Sequence, residues 1–444
     1  IFEKEINKKI LSNEVLKDLR AFTIFEIKKN FPTHILKIFI YIIFNLNLIF
    51  DVYRSLNKKN LLSKSNAWTF QQFLHGSWDL INLNRDENLK FNFFTKSKAI
   101  ISGIMKLELS EKLIKSGIRY AFLDHSVYSN RWLLANLRKE NIKIYNQAVT
   151  NFHLQKKYKD TSWSEIDKNI LIKLKKKKSI INIYWKKRIQ SKGNYSASNL
   201  SFKFFKKKKF SIPKGKYNLI LLHVFKDSPF NVIDRRRIFV DYFDWIENTL
   251  KIIKYSNESW IIKTHPISKR WGEDQKKILS ILINKAMTKK TKNIQIINNV
   301  DKDQLFRYAE KIVTFSGTAA IEAIAYNKKP IVICKSNIEN FSKNILFRPN
   351  SISDYNKILL NKIDLKVTKN QRDLAKTIIY ARENVYSMKK KIGHLEVYRG
   401  DSNIIKNKSF KLVREKLLSI YKFLNDQGKK LARGQTHTTI DYEP

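Results

Sequence analysis

The sequence is poor in several residue types that build particular classes of protein. Its 444 residues include one cysteine, 11 glycines and 7 prolines. The single Cys334 excludes an internal disulfide and any all-cysteine metal site, and it suits a reducing cytoplasm. Because Cys334 falls in a predicted buried strand, we interpret it as a small apolar core residue.

Acidic residues are also scarce. The 39 Asp and Glu stand against 87 Lys and Arg, which gives a formal net charge of +48. Such a charge points first to nucleic acid or an anionic membrane surface as a partner. No zinc-finger, RNP or helix-turn-helix signature is present, so the sequence does not indicate specific nucleic-acid binding. We interpret the lysine runs 175–178 and 206–209 as solvated loops.

Long hydrophobic runs are missing as well. The most apolar stretch, residues 35–50, is interrupted by Lys37, Asn45 and Asn47. It is shorter than the ~20 apolar residues that a membrane-spanning helix needs. A buried helix is the favoured prediction, and a helix lying in a membrane interface is the alternative. No secretory signal is visible, so we expect a cytoplasmic location.

The chain does contain enough apolar material for two packed domains. Hydrophobic residues make up 43% and aromatic residues 12%, a composition typical of folded proteins. The length allows two domains of ordinary size. We predict a first domain over 1–205, a second over 206–425 and a mobile tail over 426–444.

The first domain shows a mixed α/β pattern. Residues 99–104 are predicted as a strand leading to a helix, and a later strand ends at Asp124 and His125, before a helix over 130–140. Ligands of open α/β sheets bind at the carboxyl ends of strands. Asp124 is therefore either a ligand contact or a cap of the next helix, and His125 is a candidate base.

Strands and helices alternate more clearly in the second domain. The predicted strands cover 219–225, 260–263 and 294–297, and the predicted helices cover 239–253, 275–289 and 303–310. This alternation predicts a parallel sheet with helices on both faces. The polar clusters beginning at His223, Thr264 and Ser316 would then lie along one edge of the sheet.

Residues 311–334 are predicted to run strand, tight turn, helix, turn and strand. Ser316 and Gly317 are expected to form the turn and the helix N-cap. The amides after this turn, including that of Thr318, would form an anion site at the positive end of the helix dipole. Glu322 shares a helix face with Thr318, so a phosphate at the helix start and a sugar hydroxyl at Glu322 would fit. Many α/β proteins have the same turn without a ligand.

Two of these motifs resemble a known family. Lys263-Thr264-His265-Pro266, followed some fifty residues later by Ser316-Gly317-Thr318 and Glu322, resembles the signature of bacterial capsule polysaccharide biosynthesis proteins. That family includes the Kdo transferases and related GT-B glycosyltransferases. The stretches 223–229 and 241–245 add to the likeness, which covers roughly residues 217–345. CDP-glycerol-type wall polymerases and some sialyltransferases have comparable motifs.

The resemblance implies a GT-B-like fold, in which two Rossmann-like domains face a central cleft. The second domain would hold a nucleotide-sugar donor and the first an acceptor. His265 and Pro266 would lie against the nucleotide and its phosphates. A phosphate would be received by Ser316, Gly317 and Thr318. Glu322 would contact the ribose.

The residue types suit the departure of a negatively charged nucleotide. Helix-end amides, the His265 imidazole and Lys263 would stabilise the leaving group, although Lys263 is equally a solvated or ion-paired side chain. We expect no metal, since no convincing DxD-like pair is present. We also expect no cofactor besides the donor, for which a CMP-sugar is one candidate.

The catalytic base is left open. An inverting transferase needs a base, for which Asp124, His125 and Asp227 are the candidates. Asp227 is equally a turn former before Pro229. A retaining enzyme would need no such base, and the sequence does not decide between the two.

These inferences lead to one expected function and two alternatives. We expect a cytoplasmic glycosyltransferase that transfers a sugar to a growing capsular or other surface polysaccharide. The excess of lysine would hold it on the anionic inner leaflet, where lipid-linked acceptors are found. One alternative is a glycerophosphotransferase that uses CDP-glycerol. The other is a non-catalytic basic protein that binds nucleic acid or membrane with strong salt dependence.

Overall fold

The computed structural model describes most of the chain between residues 31 and 384. The described ranges are 31–63, 66–85, 93–115, 117–118, 120–123, 127–140, 142–148, 151–154, 168–189, 216–230, 237–266, 268–286, 293–298, 302–334, 337–342, 344–361, 366–381 and residue 384. The predicted tail 426–444 lies outside these ranges.

The described part of the first half is mainly helical. Its helices are α1 (Phe31–Phe44), α2 (Leu46–Ser55), α3 (Lys58–Leu61), α4 (Trp68–Leu83), α5 (Phe93–Lys115), α6 (Asn130–Leu137), α7 (Lys168–Lys175) and α8 (Lys178–Ile189). Its strands are β1 (Tyr120–Leu123), β2 (Lys143–Ala148) and β3 (Asn151–Leu154). β1 and β2 are parallel and are joined through α6, and β3 is antiparallel to β2.

The second half alternates strands and helices. Its strands are β4 (Tyr217–Leu221), β5 (Trp260–Lys263), β6 (Ile294–Ile297), β7 (Ala309–Thr314) and β8 (Ile331–Val332). Its helices are α9 (Tyr242–Ile253), α10 (Gln275–Ala286), α11 (Lys302–Tyr308), α12 (Thr318–Ala325), α13 (Ile352–Leu360) and α14 (Lys369–Tyr380). Short 3₁₀ turns lie at Arg138–Glu140, Ser268–Trp271 and Asn337–Asn340.

The second sheet is parallel throughout and has the order β6-β5-β4-β7-β8. The chain therefore adds β5 and β6 on one side of β4 and then β7 and β8 on the other side, as in Rossmann-like sheets. The point where the direction reverses lies between β4 and β7, and loops at this point form the ligand crevice of such folds. The predicted α/β class is confirmed, and so are the strand limits predicted at 260–263 and 294–297.

The strands of this sheet are covered on both faces. Ile220, Ile262 and Val313 pack into the core formed with α9, α10 and α13. The alternate residues, such as Leu219 and Ile261, pack on the opposite side against α11 and α12. Burial on both faces explains why these strands read as continuous apolar runs and not as alternating ones.

Several predicted element limits change in the structure. The predicted strand over 99–104 is wrong, because these residues lie inside α5. Ile100 and Ile104 there are buried at helical spacing beside Trp132. Gly103 permits this packing, since a Cβ at that position would overlap the Trp132 ring. The strand predicted over 219–225 ends at Leu221.

The helix predicted to begin at 239 begins at Tyr242 instead. Asp241 precedes it in an extended conformation and accepts a hydrogen bond from the backbone N–H of Asp244 at 2.8 Å. This side-chain cap satisfies an amide that would otherwise be unpaired, and it sets the start of α9.

Helices α7 and α8 pack against the second half. Leu174, Ile181 and Trp185 share a buried cluster with residues of α12 and α14. These two helices precede residue 205 in the chain, yet they pack against elements that come after it. The predicted division between 205 and 206 stays a prediction.

Helices α1 and α2 are less buried than predicted for residues 35–50. Most of their large apolar side chains face solvent, and Phe44 is 83% exposed. Among the described residues, no single helix is long and apolar enough to span a bilayer. Ile38–Phe44 and Leu46–Ser55 reach that length and composition only as a pair bent by 68°.

Candidate functional site

Described residues of the first half contact the carboxyl edge of the second sheet. Side chains of α4 and α6 contact the loop after β4. The Asn82 amide donates to the carbonyl oxygen of Phe225 at 2.6 Å, and Arg131 donates to that of Phe230. Functional groups from both halves therefore meet at this edge.

A buried ion pair of the first half holds this loop. Arg131 Nε donates to Asp79 Oδ2 at 3.0 Å, and neither side chain is exposed. The other carboxylate oxygen of Asp79 accepts a 2.7 Å hydrogen bond from the Ser228 hydroxyl. Burial raises the pKa of Asp79, although Arg131 and Ser228 oppose that effect. Because each charged atom has partners, the pair fixes the position of residues 225–230 relative to the first half.

His223 and Gly317 meet at the point where the strand order reverses. His223 follows β4 and Gly317 follows β7, and these strands are neighbours. Gly317 has φ +97°, a backbone conformation that favours glycine. A Cβ at Gly317 would lie 3.7 Å from Nε2 of His223. The imidazole therefore stands beside the first residue of the turn into α12.

The start of α12 differs from its predicted cap. Gly317 is the N-cap, and no side chain caps the helix. The predicted capping by the Ser316 hydroxyl is wrong, since the glycine conformation places Ser316 outside the helix. The Thr314 hydroxyl instead holds the turn by donating to the carbonyl oxygen of Ser316 at 3.3 Å. Ser316, Gly317 and Thr318 are all partly exposed, so an anion can approach the first amides of α12.

His265 lies next to His223. It follows β5, and its ring centroid is 5.7 Å from that of His223, with the rings inclined by 27°. Gln275 ties the two loops together. It accepts from the backbone N–H of His265 at 2.7 Å and donates to the carbonyl oxygen of His223 at 2.8 Å. Pro266 follows His265 and is partly exposed.

Glu273 supports the same loops from beneath. Its carboxylate accepts from the backbone N–H groups of Phe225 and Lys226 and from Gln275 Nε2. Burial raises the pKa of Glu273 to about 7, against these hydrogen bonds, which lower it. The carboxyl group consequently changes charge near neutral pH.

The His223 ring is oriented by two neighbours. It stacks on Tyr242 with 4.7 Å between centroids and 2° between ring planes. Nδ1 lies 3.8 Å from Asp227 Oδ2, too far for a hydrogen bond, and the two groups form an ion pair only when the ring is protonated. Burial lowers the pKa of His223, and the charge of Asp227 opposes this. A neutral imidazole is the favoured form at pH 7.

Asp227 is held in turn by the first half. Its Oδ1 accepts from the Tyr128 hydroxyl at 3.0 Å and from the backbone N–H of Ser228 at 2.8 Å. Burial raises the pKa of Tyr128, so the phenol keeps its proton and remains a donor. The turn role and the site role proposed for Asp227 are thus both compatible with its position.

Lys263 and Glu322 are less accessible than the two histidines. Lys263 is buried at the end of β5, with Nζ 3.4 Å from the carbonyl oxygen of Thr264. Glu322 is buried one turn into α12, where its Oε1 is 2.6 Å from Arg188 NH2 of α8. The predicted ribose contact of Glu322 stays a prediction.

Asp124 and His125 lie outside the described residues. β1 ends at Leu123, and the next described residue is Val127. Within the described part of the chain, no group of three His, Cys, Asp or Glu side chains is arranged to hold a metal ion.

Several residues of this site were not assigned a role from the sequence. They are Tyr128, His223, Tyr242, Glu273 and Gln275. Only His223 had a usable signal, because it ends a predicted strand at the edge where the other clusters lie. Glu273 and Gln275 act through contacts between loops that are distant in the chain.

Comparisons with known proteins gave structural neighbours only. No family model matches the chain, and no curated protein matches it. One neighbour is the UDP-GlcNAc 2-epimerase of Methanocaldococcus jannaschii in complex with UDP-GlcNAc and UDP, with 15% identity over 74% of this chain and 93% of that chain and a TM-score of 0.28. Another is S. aureus MnaA with UDP, with 10% identity over 71% and 90% and a TM-score of 0.25. Likenesses at these TM-scores carry no argument about the activity of this chain.

Proposed function

We propose that this protein is a glycosyltransferase that uses a nucleotide-sugar donor. The observation that carries the proposal is the meeting of His223, His265 and the start of α12 at the point of strand reversal. Helix-start amides at such a point bind phosphate groups in α/β folds. The His223 imidazole lies beside the start of α12, and the His265 ring lies next to that of His223. The phosphate groups of a nucleoside diphosphate or monophosphate have the negative charge that this arrangement favours.

The reaction breaks the bond between the anomeric carbon of the donor sugar and a phosphate oxygen. Negative charge then accumulates on the departing phosphate. The amides after Gly317 and the imidazole N–H groups of His223 and His265 stabilise that charge, and they need little rearrangement because their loops are tied by Gln275 and Glu273.

The acceptor hydroxyl attacks the anomeric carbon from the side of the first half. Its proton passes to a base in an inverting reaction. Asp227 is supported for this role by its position beside His223 and by Tyr128, which comes from the first half. Asp124 and His125 remain candidates for the same role.

The acceptor we propose is a growing capsular or other surface polysaccharide, made in the cytoplasm. The support is the resemblance of the motifs around His265 and Gly317 to those of capsule polysaccharide proteins. We propose that the Glu322 carboxylate contacts a hydroxyl group of the donor ribose. This contact replaces its ion pair with Arg188.

The first experiment is a screen of CMP, CDP, UDP and GDP by thermal unfolding. A nucleotide at a hundredfold excess over its Kd stabilises the folded state by about 2.7 kcal/mol, which corresponds to a rise in Tm of about 3 °C for a chain of this length. If no nucleotide raises the Tm of the folded protein, the proposed donor site is wrong.

The second experiment is transfer from matching donors, followed by mass spectrometry of the acceptor. We expect addition of a sugar, whereas addition of glycerol phosphate from CDP-glycerol would assign the protein to the alternative class. His265→Ala and His223→Ala are each expected to lower the rate at least about tenfold. The exposed Lys276→Ala on α10 is the control and should leave the rate unchanged.

A further inference from the structure

Helices α1 and α2 carry an apolar surface that is exposed in the described part of the chain. Large apolar side chains repeat along α1 at helical spacing and continue on α2. We call these residues the apolar patch: Leu36, Phe39, Ile40, Ile43, Phe44, Leu46 and Phe50. Phe39 is 59% exposed and Phe50 is 54% exposed. Exposed apolar surfaces of this extent commonly mark sites of interaction.

The opposite side of the two helices is packed into the protein. Tyr41 donates to Glu111 of α5 at 2.6 Å, and Ile42 and Ile49 pack against the buried cluster around Trp132. The helices are thus anchored through one face, which turns the apolar patch outward.

The apolar surface extends to the start of α5. Phe93 and Phe94 are exposed, and the ring of Phe93 is 5.9 Å from that of Tyr53 on α2. Lys98 and Ile101 lie further along the same face of α5, since Lys98 is four residues after Phe94 and Ile101 is three residues after Lys98. Aromatic and cationic side chains are therefore interleaved on this surface.

The charges around the patch are mostly positive. Residues 31–63 and 93–115 contain nine Lys and Arg against three Asp and Glu. Of the three acids, Glu108 and Glu111 are engaged by Lys112 and Tyr41, and Asp51 is exposed. Arg54 lies four residues after Phe50 on the exposed face of α2. Exposed cations beside exposed phenylalanines complement a partner that has an anionic outer layer over an apolar interior.

We propose that the apolar patch docks onto an anionic lipid bilayer. The helices lie in the plane of the interface, with the patch among the acyl chains and Arg54 and Lys98 near lipid phosphates. The 68° bend between α1 and α2 and the interleaved cations favour this position over a span. The proposal does not depend on the activity proposed above.

Flotation with vesicles tests the docking. We expect the full chain to float with vesicles of phosphatidylcholine and phosphatidylglycerol and to bind weakly to phosphatidylcholine alone. Phe39→Ser combined with Phe44→Ser should weaken binding at least about tenfold, because two phenylalanine side chains no longer enter the apolar layer. Tyr255→Ser combined with Tyr308→Ser removes exposed rings of the second half and should leave binding unchanged.

A fluorescent label reports which surface enters the lipid. Cys334 is buried, so Phe44→Cys provides one accessible thiol for an environment-sensitive dye, and Tyr255→Cys provides the control. We expect a blue shift with anionic vesicles for the label at 44 and none for the label at 255.

Three outcomes would overturn the proposal. The first is equal loss of vesicle binding in the two serine pairs. The second is a label at 44 whose emission does not change with vesicles. The third is a dimer in light scattering that Phe39→Ser with Phe44→Ser dissociates, since a second copy would then cover the patch. An unchanged midpoint of urea unfolding in the serine variant shows that any loss of vesicle binding is not a loss of folding.

Discussion

The β4–β8 sheet and the α1–α2 pair are built from similar apolar side chains and differ in what lies against them. Ile220 of β4 is fully buried between two layers of helices, whereas Phe44 of α1 is mostly exposed. Both segments are rich in Ile, Leu and Phe, so composition does not distinguish them. An apolar run in the sequence therefore indicates a surface that tends to be buried. It does not indicate whether another layer of the same fold or a separate molecule buries that surface.

The sharpest way to test this contrast is to truncate one residue in each region. Ile220→Ala should lower the free energy of unfolding by about 3 kcal/mol, because it leaves a cavity between packed layers. Phe44→Ala should change it by less than about 0.5 kcal/mol in the absence of lipid. Urea unfolding measures both. A loss at Phe44 comparable to that at Ile220 would show that the apolar patch is covered in solution.

A second comparison is between two acidic residues of the second half, the buried Glu273 and the partly exposed Glu247. The folded pKa of Glu273 is about 7, above its ordinary value of 4.5. Between pH 4.5 and pH 7, the carboxyl group of Glu273 is therefore protonated in the folded state and ionised in the unfolded state. The contribution of this proton to stability is complete below pH 4.5 and is lost as the pH rises through 7, by no more than about 3 kcal/mol.

Urea unfolding from pH 4.5 to 7.5 measures this effect as the difference between wild type and Glu273→Gln. The variant should lack the fall in stability with rising pH. Glu247 provides a control of opposite sign. Burial raises its pKa, but Lys251 and Lys285 lower it overall, so Glu247→Gln should remove stability that is lost as the pH falls. Parallel pH curves for wild type and Glu273→Gln would contradict the assignment.

The smallest expected change in stability comes from replacing either of two glycines, one in the candidate site and one outside it. Gly317 and Gly117 both have positive φ, at +97° and +72°. Replacing either glycine with alanine should cost about 1 kcal/mol of stability. Only Gly317→Ala should weaken nucleotide binding, because a Cβ at Gly317 would lie 3.7 Å from Nε2 of His223, whereas a Cβ at Gly117 would meet no atom within 4 Å beyond its chain neighbours. Titration of both variants with the stabilising nucleotide decides this, and equal losses of affinity would count against the site.

The sequence predicted the second sheet well because its signals are local. The strand Trp260–Lys263 is an apolar run followed by a turn, and it was predicted with its observed limits. The residues 99–104 have a similar composition but continue into a helix, since Gly103 lets α5 pack closely on Trp132. A short apolar run in the sequence does not show whether its residues form a strand or part of a helix.

The candidate site was predicted in part for a related reason. Polar residues at strand ends pointed to one edge of the sheet, and His265 and Gly317 do lie there. The roles of Gln275 and Glu273 depend on hydrogen bonds between loops, which have no periodic signature. The contact of Glu322 with Arg188 likewise depends on how α8 packs on the second half.

The sequence by itself determined the alternation of strands and helices and the polar residues at the strand ends, because periodicity and turn chemistry act over a few residues. Tertiary structure alone decided the strand order, and this order makes β4 and β7 neighbours and sets His223 beside Gly317. It also decided that α1 and α2 keep one apolar face in solvent. The physical reason is that a side-chain pattern specifies which face of an element is apolar, whereas burial depends on which surface packs against that face.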